Sequence, residues 1–267
     1  MNRFEALLWD VDGVLAETER DGHRVAFNLA FEAGGLPWRW DETRYGDLLR
    51  VSGGRERLLA DMAMRADAPP LARDREALAR ALHASKNGFY AQRVGSGAIA
   101  LRDGVLELMQ ECLSRGLRMG IASTTSRANV EALLRHHLGA AWQGWFAAIV
   151  CGEDVQLKKP DPEVYVRALR QLGVGALQSV AIEDAPAGVA AARAAGVPVL
   201  VTRSAYFCAT AVAEAIAIAI AIAIGPGLHD RRGWRPALPC DGRSPLRVGL
   251  DDIEAWHDRM VAVSPSA

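Results

Sequence analysis

The chain has little excess of either charge: its 267 residues include 31 Lys and Arg and 32 Asp and Glu, for a formal net charge of -1. Nucleic-acid-binding proteins usually carry a clustered positive excess, so this balance argues against nucleic acid as a partner. Cysteine is also scarce, and the four residues lie far apart with no metal or redox spacing. We therefore expect reduced thiols in a cytoplasmic protein at Cys112, Cys151, Cys208 and Cys240.

Long hydrophobic runs are missing as well. The first eight residues show no positive region followed by an apolar stretch, so no secretory signal is predicted. Ala215 to Ile224 alternates Ala and Ile, but a membrane-spanning helix needs about 20 apolar residues. The two-residue period favours a half-buried strand, whereas alanine alone favours helix. We interpret the tract as core structure or low-complexity sequence, and we expect no membrane contact.

The first third of the chain combines one strand pattern with a series of helical patterns. Phe4 to Trp9 predicts a buried strand that stops at Asp10, and no strand pattern interrupts the residues from 16 to 95. Gly95-Ser96-Gly97 is typical of a hinge. The predicted helices run from Thr18 to Ala33 with Val25, Leu29 and Ala33 at four-residue spacing, from Asp41 to Arg50 with Asp41 as cap, from Arg55 to Arg65, and from Arg73 to Arg93.

Beyond this hinge, strand patterns alternate with helical ones. Such alternation predicts an α/β fold with a doubly wound, parallel, Rossmann-like sheet and an inserted all-helical domain. We therefore assign residues 1–15 and 96–267 to the Rossmann-like core and residues 16–95 to the helical insertion, while the tail after Ser204 matches no clear pattern. The predicted strands are Arg118 to Ala122, Phe146 to Val150, Ser179 to Ile182 and Val197 to Val201, and the helices between them are Ser126 to Leu138, Asp161 to Leu172 and Ala187 to Ala195.

Side chains that carry chemistry follow the predicted strands. In an open parallel sheet, ligands bind outside the carboxyl ends of the strands. Asp10 and Asp12 follow the first strand, and Ser123 and Thr124 follow the strand that ends at Ala122. The same rim is predicted to hold Lys159 from the loop before a helix, and Glu183 and Asp184 after the strand from Ser179.

This collection of side chains fits phosphoryl transfer. Asp10 is the candidate nucleophile, because a carboxylate can attack phosphorus and form an aspartyl-phosphate. Asp12 is placed to protonate the leaving oxygen and then to deprotonate the attacking water. Ser123 would bond to the phosphoryl oxygens, and Lys159 would offset charge on the nucleophile and the phosphate together. Thr124, beside Ser123, is a further candidate substrate contact.

Mg²⁺ is the predicted cofactor. A carboxylate repels a phosphate dianion unless a cation offsets the charge, and Mg²⁺ prefers oxygen ligands while keeping several waters. The candidate ligands are Asp10, Asp184 and the backbone carbonyl of Asp12, with Glu183 added as the neighbour of Asp184.

Each motif alone has a simpler interpretation. Asp-x-Asp-Gly most often marks a turn, and Ser-Thr-Thr usually caps a helix. Lys158-Lys159 is usually a solvated pair, and Glu183-Asp184 is only a weak helix start. Their joint occurrence at strand ends, in this order, favours a site over these separate interpretations.

The four motifs together resemble those of the haloacid dehalogenase-like hydrolases. The helical insertion is similar to the cap of the beta-phosphoglucomutase and phosphoglycolate phosphatase branch, and the resemblance covers about residues 4 to 207. It implies a Mg²⁺-dependent phosphatase or mutase in which Asp10 is the nucleophile, Asp12 is the acid and base, and the cap closes over the substrate. The motif residues are Asp10-Val11-Asp12-Gly13-Val14-Leu15, Ser123, Lys159-Pro160-Asp161-Pro162 and Ile182-Glu183-Asp184.

A finer resemblance is to the CbbY-type proteins, sugar-bisphosphate phosphatases that act on xylulose 1,5-bisphosphate. It implies that Glu19, Tyr45, Gly53, Gly54 and Arg55 contact the substrate from the cap. Gly53-Gly54 before a helix offers free N–H groups to a second phosphate, and an arginine can add a bidentate grip. The segments that carry the resemblance are Ala16 to Glu19, His23 to Asn28, Tyr45, Gly53 to Arg57 and Thr202 to Phe207.

The function we expect is that of a cytoplasmic, monomeric, Mg²⁺-dependent phosphatase that converts xylulose 1,5-bisphosphate to xylulose 5-phosphate. By the same resemblance, this activity would serve carbon fixation in the Calvin cycle. A phosphoglycolate-type phosphatase and a beta-phosphoglucomutase-like mutase are the enzymatic alternatives. A non-catalytic binding protein is a further alternative, but Asp10 and Asp12 are both present, which argues against it.

Overall fold

Six parallel strands form one sheet among the residues that the computed structural model describes, which are 4–51, 53–207, 221–237 and 246–263. The order across the sheet is β3-β2-β1-β4-β5-β6, so the first strand in the chain lies at the centre. This is the predicted doubly wound arrangement. The strands are β1 (Ala6–Trp9), β2 (Arg118–Ala122), β3 (Ala148–Val150), β4 (Ser179–Glu183), β5 (Val199–Thr202) and β6 (Ala221–Gly225).

The strand register aligns the ends of the three central strands. Trp9, the last residue of β1, pairs with Ile121 of β2 and with Ile182 of β4. The residues that follow these positions therefore leave the sheet at the same edge, which is where parallel strands end together.

Helices cover both faces of the sheet and fill the stretch between β1 and β2. A single π-helical turn, Thr18–His23, leads directly into the first α-helix, and two short 3₁₀ turns lie at Trp142–Trp145 and Ala176–Gln178. The α-helices are α1 (Arg24–Ala33), α2 (Glu42–Leu48), α3 (Gly54–Ala63), α4 (Ala72–Gly95), α5 (Val105–Ser114), α6 (Arg127–Leu138), α7 (Glu163–Leu172), α8 (Pro186–Ala194) and α9 (Leu250–Val263).

The helices from 18 to 95 pack around an apolar cluster of their own. Trp40 is fully buried at its centre, with ring centroids 4.7 Å from Phe27 and 5.0 Å from Phe31. Asp41 caps α2 as predicted, since its side chain accepts the Arg44 N–H at 2.7 Å.

Helix α1 forms where the four-residue spacing predicts a helix, but the spaced residues are not the ones that it buries. Val25 and Leu29 are only half-buried, and Ala33 is exposed. The buried residues are instead Ala26, Phe27, Ala30 and Phe31. Two phenylalanines remove more apolar surface from water than Val25, Leu29 and Ala33 would, so the helix turns that side inward.

Alternate residues of β1 face two separate apolar layers, as expected for a sheet covered on both sides. Leu7 and Trp9 pack into one layer, whereas Ala6 and Leu8 pack into the other. All four side chains are fully buried, which fixes the register of β1 and with it the position of the residue that follows Trp9.

The tail agrees with the sequence interpretation in one place and differs from it in another. Ala221–Gly225, which includes the end of the Ala-Ile tract, forms β6 beside β5, so the strand interpretation holds there. Ala215 to Ile220, Cys208 and Cys240 lie outside the described residues. Helix α9, which no pattern predicted, buries Trp256 against Trp234 with ring centroids 5.0 Å apart. No helix in the described ranges is long and apolar enough to cross a membrane.

Candidate active site

Four polar residues leave the sheet at the edge where the central strands end. Asp10 follows β1 and donates its N–H to the Ile182 carbonyl, while Ser123 follows β2 and donates its N–H to the Val150 carbonyl. Glu183 ends β4, and Asp184 follows it. All four are at most 7% exposed, so the sheet holds these groups in fixed positions largely away from bulk water.

Lys159 connects two of these carboxylates. Its Nζ atom lies 2.6 Å from Asp10 Oδ1 and 2.7 Å from Glu183 Oε1, and the Tyr165 hydroxyl of α7 donates to the same Glu183 oxygen. Burial alone would lower the pKa of Lys159, but the two carboxylates raise it above its usual value, so the side chain stays charged. Lys159 therefore neutralises part of the negative charge at this edge.

Three carboxylates lie close enough together to hold a cation. Oxygen atoms of Asp10, Glu183 and Asp184 all fall within 4.8 Å of one another. Burial raises the pKa of Asp10 to about 7 against the pull of Lys159, and burial together with Asp10 and Glu183 raises the pKa of Asp184 well above its usual value. Asp184 Oδ1 is buried and has no hydrogen-bond partner among the described residues. An oxygen-binding divalent cation such as Mg²⁺ fits this donor set, because it would occupy the unpartnered oxygen and stabilise the ionised carboxylates.

Two glycines leave room for the carboxylates. Gly13 has φ +82°, and a Cβ atom there would lie 2.0 Å from Asp184 Oδ2. A Cβ atom on Gly188 would lie 2.0 Å from Glu183 Oε2. The turn after Asp12 and the first turn of α8 can therefore lie against the carboxylates only without side chains.

The side chain of Asp12 faces a different set of partners. Its Oδ1 atom accepts the Thr18 hydroxyl at 2.5 Å and lies 3.1 Å from His23 Nε2. Burial would raise the pKa of Asp12, but His23 and the Thr18 hydroxyl together hold it below its usual range. Asp12 is thus held as a carboxylate, outside the group formed by Asp10, Glu183 and Asp184.

A cavity of about 780 Å³ opens between this edge of the sheet and the helices from 18 to 95. Tyr45 is the one sequence-predicted site residue that does not line it, and its side chain is fully buried. Its hydroxyl donates to Glu19 Oε2 and accepts Arg57 Nη1 at 2.7 Å. The sequence-predicted residues that line the cavity are Asp10, Asp12, Glu19, Gly53, Gly54, Arg55, Ser123, Thr124, Lys159, Glu183 and Asp184.

The cavity contains a second polar region around the first turn of α3. Gly53 precedes this helix with φ +95°, and a Cβ atom there would lie 2.5 Å from Lys158 Nζ. Lys158 reaches Glu56 Oε2 at 3.1 Å, and the Arg55 side chain is 46% exposed. Positive charge and backbone N–H groups are thus present in the same cavity as the carboxylates, which suits a ligand with an anionic group at each end.

Sequence reasoning missed two polar groups near the cavity. Lys86 of α4 is 3% exposed and lines the cavity, with Nζ 5.3 Å from the Tyr90 ring centroid, and burial lowers its pKa to about 8. Tyr165 is buried beside Glu183. In the sequence, both look like ordinary residues of amphipathic helices. Arg57, at the end of a segment that carries the finer resemblance, is buried beside Glu19, and His23, at the start of another such segment, lies 3.1 Å from Asp12 Oδ1.

A family model matches most of the chain, including the segments that carry these side chains. Residues 4–196 match the model described as haloacid dehalogenase-like hydrolase, and the chain belongs to this family. It is 45% identical over 203 residues to "Protein CbbY, plasmid" of Cupriavidus necator, covering 76% of this chain and 80% of that protein. CbbY of Rhodobacter capsulatus is 43% identical over 203 residues, covering 76% of this chain and 87% of the relative.

A solved structure resembles the chain over the same share of its length. The crystal structure of a mutant CbbY from Rhodobacter sphaeroides in complex with xylulose-1,5-bisphosphate is 39% identical, with a TM-score of 0.71. The match covers 76% of this chain and 88% of that one. The predicted fold and the predicted family are therefore confirmed.

Proposed function

We propose that this protein is a Mg²⁺-dependent phosphatase of sugar bisphosphates that removes the 1-phosphate of xylulose 1,5-bisphosphate to leave xylulose 5-phosphate. The observation that carries the proposal is one cavity that joins the Asp10–Lys159–Asp184 edge to the positively charged start of α3. The CbbY structure with bound xylulose-1,5-bisphosphate supports the choice of sugar.

Asp10 is the nucleophile of the proposed reaction. Its carboxylate oxygen attacks phosphorus, and the bond between phosphorus and the sugar oxygen breaks. The buried ammonium of Lys159, 2.6 Å from Asp10 Oδ1, stabilises the charge that builds on the phosphoryl oxygens, and Ser123 donates its hydroxyl to them. The leaving sugar oxygen takes a proton from Asp12, which must first be protonated and release His23 and Thr18.

Asp12 also serves the second half of the reaction. As a carboxylate it removes a proton from water, which attacks the phosphorus of the aspartyl-phosphate, so that inorganic phosphate leaves and Asp10 is restored. The contacts with Thr18 and His23 favour the carboxylate form of Asp12, which suits this step.

Asp10 and Asp184 would hold Mg²⁺, together with the backbone carbonyl of Asp12. When bound, the ion supplies Lewis-acid stabilisation of the phosphoryl oxygens and lowers the pKa of both carboxyls. Glu183 has a different role in this proposal than the sequence suggested, because its Oε1 atom is already engaged by Lys159 and Tyr165. It positions the lysine, whereas Asp184 keeps an oxygen available for the ion.

The helical segment from 16 to 95 is the proposed cap, and it would select the substrate. Gly53, Gly54 and Arg55 would hold the second phosphate, and Glu19 would bond to the sugar hydroxyls. Tyr45 would act through Glu19, since its hydroxyl already bonds to Glu19 and Arg57. Thr124 lines the cavity next to Ser123 and would contact the phosphate that is transferred.

Phosphate release with Mg²⁺ from xylulose 1,5-bisphosphate, phosphoglycolate and beta-glucose 1-phosphate tests the proposal, with Asp10→Asn as the inactive comparison. We expect release of one phosphate per molecule of xylulose 1,5-bisphosphate and a strong preference for this substrate over the other two. Activity confined to phosphoglycolate would keep the role of Asp10 but refute the second-phosphate site. Catalytic turnover of beta-glucose 1-phosphate, primed by glucose 1,6-bisphosphate, would establish a mutase instead.

Arg55→Gln tests the substrate assignment separately. We expect a rise of about tenfold in KM for the bisphosphate, with little change for phosphoglycolate, because only the bisphosphate has a second phosphate for Arg55 to hold. Arg73→Gln is the matched control, since its side chain lies on α4 and is 82% exposed. An equal effect of Arg55→Gln on both substrates would contradict the assignment.

A further inference from the structure

Arg102, in the segment between α4 and α5, binds two loops that meet beside the carboxylates. Its Nη1 atom donates to the Gly13 carbonyl, and its Nη2 atom donates to the Arg203 carbonyl and lies 3.4 Å from the Pro226 carbonyl. The side chain is 16% exposed. One guanidinium thus joins the turn after Asp12 to the loop after β5.

The backbone of Arg102 and a nearby carboxylate strengthen the same connection. The Arg102 N–H donates to the Leu15 carbonyl at 2.8 Å, and its Nε atom lies 3.7 Å from Glu17 Oε1. Glu17 in turn accepts the Ala205 N–H at 3.1 Å. The segment from 13 to 17 is therefore fastened to the loop after β5 by several contacts around Arg102.

Both ends of this connection lie beside Asp184. The Gly13 backbone lies against its carboxylate, where a Cβ atom would be 2.0 Å from Oδ2. Ser204, next to Arg203, is buried, and its side chain lies close to the Asp184 carboxylate. Arg102 thus holds the backbone of two segments that lie beside Asp184.

We propose that Arg102 is a positioning residue for the cation site: it holds the Gly13 turn and the Arg203–Ser204 loop on either side of Asp184 and so fixes the spacing of Asp10 and Asp184. The inference rests on the proposed Mg²⁺ site but not on the identity of the sugar. A guanidinium suits the role because its planar fork reaches two carbonyls at once, which a single ammonium cannot do in the same geometry.

Isothermal titration of the full-length protein with Mg²⁺ alone measures this role without substrate. We expect Arg102→Met to raise the Mg²⁺ Kd by about 10- to 100-fold, as removal of groups behind metal ligands generally does. Arg102→Lys keeps a charge near Asp184 but loses the bridge, so its Kd should stay at least about threefold above that of the unmodified protein. In phosphate release, the Mg²⁺ concentration for half-maximal rate should rise by the same factor while KM for the sugar phosphate stays constant.

Arg118→Met is the matched control. Arg118 also donates to a backbone carbonyl, that of Leu172, at 2.7 Å and to Glu5 Oε2 at 2.5 Å, but it begins β2 at the opposite edge of the sheet. Its Mg²⁺ Kd should stay within about twofold of the unmodified protein.

Three results would overturn the inference: an unchanged Kd in Arg102→Met, an equal change in Arg118→Met, or full recovery in Arg102→Lys. If Arg102→Met fails to fold, the Arg102→Lys titration decides alone. Absence of Mg²⁺ binding in the unmodified protein would refute the metal site itself. Mg²⁺ binding without phosphatase activity would refute the proposed function and leave the role of Arg102 standing.

Discussion

Replacing Lys159 with methionine should destabilise the protein, and the loss should grow as the pH rises. The ammonium lies 2.6 Å from Asp10 Oδ1 and 2.7 Å from Glu183 Oε1, and all three side chains are at most 10% exposed. At an effective dielectric constant of about 20, each contact carries about 6 kcal/mol of attraction. The removal of a buried ammonium also removes its desolvation penalty, so the expected net loss is about 3–5 kcal/mol.

The pH dependence follows from Asp10. Burial raises the folded-state pKa of Asp10 from 3.8 to about 7. Between pH 3.8 and about 7, the folded state therefore binds more protons than the unfolded state. The contribution of Asp10 to the free energy of unfolding falls as the pH rises through this window. Without Lys159 the pKa of Asp10 rises further, and the window extends to higher pH. The free energy of unfolding of Lys159→Met should therefore be closest to that of the unmodified protein at about pH 5, and the difference should be largest above about pH 7.

Urea unfolding at several pH values, with and without Mg²⁺, measures the effect. Lys158→Met is the control, because Lys158 is 29% exposed and pairs with a Glu56 that is 37% exposed. Exposed pairs contribute about 0–1 kcal/mol. Mg²⁺ should recover part of the stability of Lys159→Met by stabilising the carboxylates. Equal losses in the two variants, or a loss in Lys159→Met that does not grow with pH, would refute the reasoning.

Two further predictions concern the cation site. Gly13→Ala should weaken Mg²⁺ binding and lower stability by about 1–3 kcal/mol, because its Cβ atom would lie 2.0 Å from Asp184 Oδ2 at φ +82°. Gly173→Ala is the control: Gly173 has φ +66°, and apart from its chain neighbours no described atom lies within 4 Å of its Cβ position, so the change should affect stability alone. Unchanged Mg²⁺ affinity in Gly13→Ala would contradict the expected weakening. Mg²⁺ should bind about tenfold more tightly at pH 8 than at pH 6, since the Asp10 carboxyl, with its pKa raised to about 7, must lose its proton. Titration in two buffers of different ionisation enthalpy should detect the released proton, and a Kd independent of pH would count against Asp10 as a ligand.

The strands of the sheet were largely predictable because short apolar runs marked them. Arg118–Ala122 matches the prediction at both ends, and the strand from Ser179 is one residue longer than predicted. Helix α9 was missed although Ile253, Trp256 and Met260 repeat at helical spacing. It lies in the tail, where the sequence showed no clear pattern, and only the contact of Trp256 with Trp234 reveals what the helix packs against.

The reactive side chains at the sheet edge were easier to predict than the side-chain contacts that hold them in place. A residue that directly follows a strand has its position set by the strand register, so Asp10, Ser123 and Asp184 could be placed together from the sequence. The side-chain partners of Tyr45 and Glu183 could not be predicted in the same way. Their side chains are held by Arg57 and by Tyr165, partners from other helices, and such pairings depend on how helices pack rather than on any local pattern.

The central position of β1 has a consequence for synthesis of the chain. β1 leaves the ribosome first, yet its neighbours β2 and β4 begin about 110 and about 170 residues later. At about 5–20 residues per second, β1 waits at least about 5 s with both edges unpaired. During that interval the helices from 18 to 95 can assemble around Trp40, because their apolar cluster is their own. The nascent protein would therefore form its proposed cap before Asp10, the proposed nucleophile, has a sheet to hold it.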